Sequence, residues 1–466
     1  MIDKNEIGQK ATELGINVAN VERDYVFGWF LSGLYSASKL KDTLVLKGGN
    51  CLRKAYLVHT RFSDDLDFTT ESELQFDLLH SELDKICDFV QEKSRIEFDK
   101  NKNRIDEESL IGIRGRDEER KIFKVRLYFK DFYGNPDSII IKIRLDITQL
   151  DKIYLPVQEK LLIHPYSDSS DCSVLLRCIK LEEILATKLK CLLQRRYSYD
   201  LYDLIYSIFI NRDIAVNRPE IVTTFLKKTI YEPSPGIAKE LLLNLPLEVF
   251  RGIWNQYIVC PKFSMIDFDL ALINFRQIVQ ELFGSFTTGF AHFGYFPAEL
   301  RNPIMESGSS FSLLELVYDG VKRIVEPYSL VYKIRQDGYG QEYFYAYDTT
   351  GGRSSGPGIK CFVNNKISSI KCLEDKFTPR YPVELSKAGE HHGDKYFSSS
   401  GGRRSVRSSF SGIGGLYASQ ITYVYECSYC GKRFRRKNNT DLLNSHKDKS
   451  GYPCSGRRGY LIETLY

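Results

Sequence analysis

Two glycines and two aspartates, close together in the sequence, are the residues whose types and spacing best fit one chemistry. Gly48 and Gly49 follow the short apolar run Val45-Leu46 and precede a segment that can form a helix. Such a turn exposes backbone N–H groups that lack partners and can bind an anion. Asp65 and Asp67 alternate along a predicted strand, so both carboxylates project from one face. Because neighbouring carboxylates repel unless a cation lies between them, the pattern predicts Mg²⁺ or Mn²⁺ beside a nucleoside triphosphate.

A third carboxylate lies farther along the chain. Residues 121–129 and 138–147 alternate polar and apolar side chains around Asn135-Pro136-Asp137, which predicts a β-hairpin. Asp146 lies near the end of the second strand. An aspartate in that position is often only a turn or cap residue, but two-metal phosphoryl transfer needs a third carboxylate. We therefore predict that Asp65, Asp67 and Asp146 are catalytic and bind Mg²⁺.

The same residues resemble a known family. Lys-Gly-Gly-x-x-Leu from Lys47, followed by Arg-x-Ser-x-Asp-Leu-Asp-Phe from Arg61, resembles the AbiEii/AbiGii toxin nucleotidyltransferases, a branch of the DNA polymerase β-like superfamily. That family usually has Ser or Thr after the glycines, where this chain has Asn50, which can still donate to a phosphate or cap a helix. The resemblance implies that the nucleotide is bound by Lys47, Gly48, Gly49, Asn50, Arg61, Ser63 and Lys188.

Downstream, a predicted helix over 181–196 leads into the segment Tyr199–Tyr206. A lysine in the middle of such a helix normally lies on the solvated face. By resemblance to the same family, however, Lys188 contacts the triphosphate, and Asp200 and Asp203 orient the catalytic site. A compact ammonium suits phosphate charge, and Arg195 or Arg196 could add a planar fork.

The elements that must position these residues are helices over 3–40 and 74–96, strands at 44–46 and 66–68, and the hairpin. The polar stretch 101–120 is expected to be a loop or an irregular excursion. Residues 213–290 are expected to be mainly helical and resemble the helical half of the toxin fold. The composition changes at 287–310, which is rich in Gly, Phe, Pro and Ser.

The C-terminal part predicts two further modules. Residues 321–381 are rich in β-forming residues and resemble a WYL-type β-barrel module, whereas 386–415 has the Ser/Gly-rich composition of a flexible basic linker. The spacing of Cys427, Cys430, His446 and Cys454 predicts a closed, structural Zn²⁺ site. Lys and Arg surround it, which favours nucleic-acid binding; a zinc-stabilised module for protein contacts is the alternative.

Bulk composition limits the class of protein. The net charge of +5 is mild, and the eleven cysteines, an odd number, are mostly scattered singly, which argues against a disulfide framework. No apolar run approaches the ~20 residues needed to span a bilayer, and the start lacks a signal-peptide pattern. We therefore expect a cytoplasmic protein with reduced thiols and no membrane partner.

Together these features predict an α+β protein. Its domains would be a polymerase β-like nucleotidyltransferase palm (1–165), a helical domain completing the active site (166–290), a small β-barrel-like module (311–384), a basic linker (385–416) and a zinc finger (417–466). By resemblance it is a Mg²⁺- or Mn²⁺-dependent toxin that transfers a nucleoside monophosphate from an NTP to an acceptor hydroxyl, expected to be an RNA (tRNA) 3′ end. The resemblance implies a toxin–antitoxin or phage-defence role, with a possible antitoxin partner. The alternatives are a nucleotide-sensing, nucleic-acid-binding regulator without transferase activity, and transfer to a protein hydroxyl.

Overall fold

The computed structural model describes residues 2–110, 120–130, 140–211, 213–284, 286, 294–335, 338–352, 355–391, 422–427, 433–436, 443, 446–447, 453–454 and 459–465. The predicted turn 135–137, the zinc ligand Cys430 and the linker residues 392–416 lie outside these ranges. Over the part that is described, no helix is both long and apolar enough to cross a membrane.

A mixed seven-stranded sheet supports the acidic residues. Its strands are β1 Val45–Lys47, β2 Asp65–Thr70, β3 Arg104–Leu110, β4 Arg120–Lys130, β5 Ile140–Gln149, β6 Gln158–Leu161 and β7 Leu175–Cys178. They lie in the order β3-β4-β5-β2-β1-β7-β6. The antiparallel pairing of β4 with β5 confirms the predicted hairpin, whereas β2 and β5 run parallel.

Strand β3 corrects part of one expectation, because the sequence predicts a loop or an irregular excursion over 101–120, of which residues 111–119 lie outside the described ranges. Residues 104–110 pair antiparallel with β4 and form an edge of the sheet. Most side chains of β3 are exposed, among those whose burial is described. A strand of this kind needs no apolar face, so its sequence lacks the alternation of apolar and polar residues that indicates a half-buried strand. Pairing with β4, rather than local sequence pattern, makes this segment a strand.

Four helices lie before β3: α1 Lys4–Leu14, α2 Val18–Ala37, α3 Gly48–Cys51 and α4 Phe76–Ser94. Helix α3 continues as a single wider turn over Leu52–Tyr56. Helix α2 is buried along nearly all of its length and packs against α4, β5 and β7. Its burial on several sides explains why it carries no single apolar stripe.

A helical half follows the sheet, as predicted. Its helices are α5 Leu181–Gln194, α6 Ser198–Ile205, α7 Arg218–Lys227, α8 Pro235–Leu243, α9 Trp254–Tyr257 and α10 Phe268–Phe283. Strand β7 pairs parallel with β1 through Leu46 and Cys178, so the sheet that carries the acidic residues extends almost to the start of α5. The domain division at 165 stays a prediction.

The C-terminal module is built on helix α11, Ala298–Ser310, and on the strands β8 Ser312–Tyr318, β9 Val321–Ile334, β10 Gly340–Asp348, β11 Gly358–Phe362 and β12 Ile367–Lys376. These strands form a five-stranded antiparallel sheet in the order β11-β10-β9-β8-β12. Among the residues that the structure describes, no pairing joins the edge strands β11 and β12, so the sheet is open and the predicted barrel is not closed. A barrel closes only when its two edge strands pair with each other, and an alternating sequence pattern does not encode that long-range pairing.

The described residues beyond 391 form short strands: β13 Thr422–Cys427, β14 Arg433–Arg436, β15 His446–Lys447, β16 Pro453–Cys454 and β17 Gly459–Leu465. The residues at the start of the predicted linker, which are the part of it that the structure describes, make contacts with the rest of the chain. Leu385 and Ala388 are buried in the core of the C-terminal module, and the carbonyl of Gly389 accepts a hydrogen bond from the Ile230 amide.

Candidate active site

The three predicted acidic residues meet on neighbouring strands. Asp67 on β2 is the direct partner of Asp146 on the parallel strand β5, and Asp65 lies two residues before Asp67 on the same face. One carboxylate oxygen of each residue lies within 4.8 Å of the others. Hard oxygen donors grouped this closely form a ligand set suited to Mg²⁺ or Mn²⁺.

The Gly-Gly turn approaches this acidic strand too closely for any side chain. Gly48 adopts φ +75°, and a Cβ atom there would lie 2.0 Å from the Asp67 Oδ2 atom. A Cβ atom on Gly49 would lie 2.8 Å from the Arg61 guanidinium and from the Ser63 hydroxyl. The two glycines therefore bring the backbone at the start of α3 against the acidic strand, where its unpaired N–H groups are available.

Asn50 holds the acidic strand in place. Its side chain is fully buried, and its amide nitrogen donates to the backbone carbonyl of Asp65 at 2.5 Å. The Ser63 hydroxyl lies 3.2 Å from the Asp65 Oδ1 atom. The Asn50 amide nitrogen is therefore directed at the protein backbone, and nucleotide binding by this residue remains a prediction that depends on its backbone N–H.

Lys47 lies at the edge of the acidic group. It is the strand partner of Asp67, and its ammonium contacts the Asp151 carboxylate at 3.1 Å and the Thr148 hydroxyl at 3.3 Å. Its positive charge lowers the pKa of Asp67. Lys47 is thus a partly exposed cation beside the carboxylates.

Lys188 is held by two buried carboxylates from α6. Its ammonium lies 2.9 Å from Asp200 Oδ1 and 2.7 Å from Asp203 Oδ2. Burial disfavours the charged lysine, but Asp200 and Asp203 outweigh this effect and raise the pKa of Lys188 well above its ordinary value. Since Lys188 also lowers the pKa of Asp67, a permanently charged ammonium lies within electrostatic reach of the acidic triad.

Each of those carboxylates also binds an arginine fork. Arg61 contacts both oxygens of Asp203, at 2.8 and 2.9 Å, and Arg195 contacts both oxygens of Asp200, at 3.0 and 3.1 Å. Arg195 thus directs its fork at Asp200 in this structure, and its alternative, Arg196, takes no part in this cluster because it donates to Asn302 instead. These paired contacts fix Asp200 and Asp203 as the support of Lys188.

Tyr199 is a residue that the sequence did not single out. Its ring lies 4.8 Å from the Arg61 guanidinium and 5.5 Å from both the Lys188 ammonium and the Arg195 guanidinium. The ring face attracts cations, so Tyr199 keeps the three positive groups together. Only its position next to Asp200 could have indicated this role.

Burial and mutual repulsion disfavour the charged forms of Asp67 and Asp146. Burial and then the Asp65 charge raise the pKa of Asp67 to about 6, and the same two causes raise the pKa of Asp146. Lys47 and Lys188 only partly offset these effects at Asp67. An additional cation would relieve the repulsion, which agrees with a metal site.

A second group of possible metal ligands lies in the C-terminal strands. Cys427, His446 and Cys454 each offer one ligand atom, and these atoms lie within 4.8 Å of one another. The two sulfur atoms are 3.9 Å apart, close to the about 3.8 Å expected for two thiolates on a tetrahedral Zn²⁺. Phe434 packs against the His446 ring at 4.7 Å. The three residues fit zinc, and the predicted fourth ligand, Cys430, lies outside the described residues.

Comparison with known proteins identifies the chemistry. Residues 29–259 match the family model described as "Nucleotidyl transferase AbiEii toxin, Type IV TA system". Among solved structures, the nucleotidyltransferase toxin MenT4 from Mycobacterium tuberculosis H37Rv has 17% sequence identity and a TM-score of 0.36, covering 61% of this chain and 89% of that one. This structural similarity is too low to establish a common fold. No curated protein sequence matches significantly. The family match includes the whole acidic triad, and the chain is a nucleotidyltransferase.

Proposed function

We propose that this enzyme transfers a nucleoside monophosphate from an NTP to the 3′ hydroxyl of an RNA, with Asp65, Asp67 and Asp146 as ligands of two Mg²⁺ ions. The observation that carries the proposal is the convergence of these three carboxylates within 4.8 Å, directly beside Gly48. When bound, Mg²⁺ would neutralise charge on the triphosphate and favour ionisation of the acceptor hydroxyl.

The protein groups around the triad have complementary tasks. The backbone N–H groups at the start of α3 would bind the triphosphate, because the glycines leave no side chain in front of them. Lys188 would supply fixed positive charge as pyrophosphate leaves, since Asp200 and Asp203 keep it protonated. Lys47, Arg61 and Ser63 border the same space and would orient the phosphates.

RNA as the acceptor is supported by the sequence around the Cys/His group, which is rich in Lys and Arg. A toxin role with a separate antitoxin is supported by the family match, whose description names a type IV toxin–antitoxin system. Growth arrest on expression, relieved by the product of a neighbouring gene, is the expected result for that role.

The alternative hypothesis, a regulator without transferase activity, rests on the presence of Asn50 where the family usually has Ser or Thr. Because the Asn50 amide nitrogen donates to the Asp65 carbonyl, this residue supports the acidic strand, and its presence gives no reason to doubt catalysis. Transfer to a protein hydroxyl would use the same three carboxylates. It is distinguished from transfer to RNA by whether the labelled nucleotide appears on protein or on RNA.

The test is incubation of the purified full-length protein with labelled NTPs, Mg²⁺ and total RNA. We expect labelled RNA with the wild type and none with Asp65→Ala. Asp64→Ala is the matched control, because Asp64 is the preceding residue, its side chain is exposed and it pairs with Arg23 instead. Label in a protein band would make a protein the acceptor. Equal labelling by wild type and Asp65→Ala would contradict the proposed site.

A further inference from the structure

Four buried hydrogen-bond donors meet where the helical half contacts the C-terminal module. They are Arg196 Nε, the Tyr231 hydroxyl, and Arg301 Nε and Nη2; among the residues described by the structure, none makes a hydrogen bond of good geometry, although the Tyr231 hydroxyl and the Arg301 guanidinium lie close enough to interact. We call Arg196, Tyr231 and Arg301 the junction cluster. Tyr231 and Arg301 are 0% and 1% exposed, so bulk water does not satisfy their donors.

The three side chains of the junction cluster are close to one another. The Arg301 guanidinium lies 6.0 Å from the centre of the Tyr231 ring. Both border Gly389, where a Cβ atom would lie 3.2 Å from the Tyr231 hydroxyl and 3.5 Å from Arg301 Nη2. Arg196 is held beside Arg301 by a 2.7 Å hydrogen bond from its Nη2 atom to Asn302, the next residue of α11.

The positive charge of the junction cluster is only partly compensated. Arg301 Nη1 contacts Glu342 at 2.8 Å, and the other Glu342 oxygen accepts the Phe296 amide. No carboxylate in the described part of the chain forms an ion pair with Arg196, which donates to the neutral Asn302. The exposed Glu306 offsets its charge only at longer range. Burial, and then the Arg301 charge, lower the pKa of Arg196 to about 10. Two guanidinium groups therefore share one buried carboxylate.

We propose that the junction cluster binds a tetrahedral oxyanion of the phosphate class. A buried donor without an acceptor destabilises the folded chain, so the donors of the junction cluster favour a ligand that offers several acceptor oxygens. A water molecule would satisfy donors but would not offset the charge of Arg196. Phosphate oxygens do both, and guanidinium groups bind them through paired N–H donors.

This oxyanion site is distinct from the catalytic one but linked to it through the end of α5. Arg196 directly follows Arg195, whose guanidinium binds Asp200, and Asp200 binds Lys188. Helix α11 and the segment around Gly389 supply the other side of the site. An anion bound here would thus join the C-terminal module to the helix that carries Lys188.

The experiment measures thermal unfolding and heats of binding of the full-length protein with inorganic phosphate, with chloride at matched ionic strength as reference. We expect a saturable, phosphate-specific rise in Tm, and at least tenfold weaker phosphate binding in Arg196→Gln. This variant leaves no buried carboxylate without its partner. Arg276→Gln, which removes the same charge from an exposed position of α10, is the control and should bind as the wild type does.

Phosphate could also enter the catalytic site, so stabilisation by Mg²⁺ and NTP is measured in each variant and should be unchanged in Arg196→Gln. Adenosine monophosphate is a second probe. If it binds in an Arg196-dependent way more tightly than phosphate, the site takes a nucleotide phosphate; equal or weaker binding indicates free phosphate. Both results support the oxyanion site. The same phosphate response in wild type and Arg196→Gln, or none in the wild type, would overturn it, whatever the transferase assay shows.

Discussion

Asp67 is affected by more of the charged groups in the candidate active site than its position in the sequence suggests. It pairs across strands with Lys47 and Asp146, its carboxylate lies against Gly48, and the charge of Lys188 reaches it from α5. Burial and the neighbouring Asp65 nevertheless raise its pKa to about 6. Its carboxylate is therefore destabilised in the absence of a metal, and this can be measured without an activity assay.

The stability of the metal-free protein should depend on Asp67 and pH. Because the folded pKa is about 6 and the ordinary value is 3.8, the folded chain binds this proton more tightly than the unfolded chain. The contribution to stability is complete below about pH 4 and is lost as pH rises through about 6, on the order of 3 kcal/mol. Urea unfolding in chelator between pH 4 and 7.5 should show this loss.

Asp67→Asn should remove that part of the pH dependence, whereas Asp64→Asn should retain it. Added Mg²⁺ should restore stability to the wild type near pH 7, because the cation offsets the repulsion among the three carboxylates. Identical pH profiles for the wild type and Asp67→Asn would contradict this account of the site.

Lys188→Met should lower nucleotidyl transfer by roughly a hundredfold, because it removes a fixed charge that acts on the leaving pyrophosphate. The fold should persist, since Asp200 and Asp203 each keep an arginine partner. The measurement is steady-state transfer with circular dichroism of each variant. Lys190→Met, on the same helix but paired with Glu390, is the control. Equal activity of the two variants would remove Lys188 from the mechanism.

At the scale of elements, the site depends on how closely α3 approaches β2. Gly48 permits a left-handed backbone conformation and leaves room for the Asp67 carboxylate, two requirements that no other residue meets at once. Asn50 then connects α3 to the first residue of β2 by donating to the Asp65 carbonyl. The alternation of Asp65 and Asp67 was readable in the sequence because side chains alternate along any strand.

Gly48→Ala tests this contact. The new Cβ atom would lie 2.0 Å from Asp67 Oδ2, so the turn and the carboxylate must separate, and we expect at least a hundredfold loss of transfer, about 3 kcal/mol. Gly252→Ala is the matched control, because nothing lies within 4 Å of a Cβ atom there. Both variants are compared in transfer assays and thermal unfolding. Wild-type activity in Gly48→Ala would show that α3 need not approach Asp67.

At the scale of the whole molecule, the C-terminal module and the segment before it pack directly against the helical half. Tyr295 donates to the Ile230 carbonyl and its ring stacks on Tyr332 at 5.5 Å, while Gln194 at the end of α5 donates to the Ala388 carbonyl. The predicted linker residues 385–390 form part of this contact. Composition could not indicate it, because the packing partners are about 80 to 190 residues away in the chain.

Zinc content tests the last module. We expect one zinc per chain in the wild type and none in Cys454→Ser, because this variant would remove one of the thiolates that the predicted closed site needs. Metal analysis by mass spectrometry after dialysis is the measurement. Cys372→Ser, which changes a half-buried thiol in the sheet of the C-terminal module, should keep its zinc. Zinc retained in Cys454→Ser, or missing from the wild type, would contradict the assignment.

By itself the sequence determined which chemical groups are present and which of them share a face, since the period of a strand or helix is a local property. It thereby predicted the β4–β5 hairpin, the Asp65–Asp67 pair and the helix that carries Lys188. Only the tertiary structure decided that Asp146 lies beside Asp67, that two carboxylates hold Lys188, that the C-terminal sheet stays open and that Arg196 and Arg301 meet. Each of these depends on pairing or burial between distant segments, which is set by packing of the whole chain and not by any local pattern.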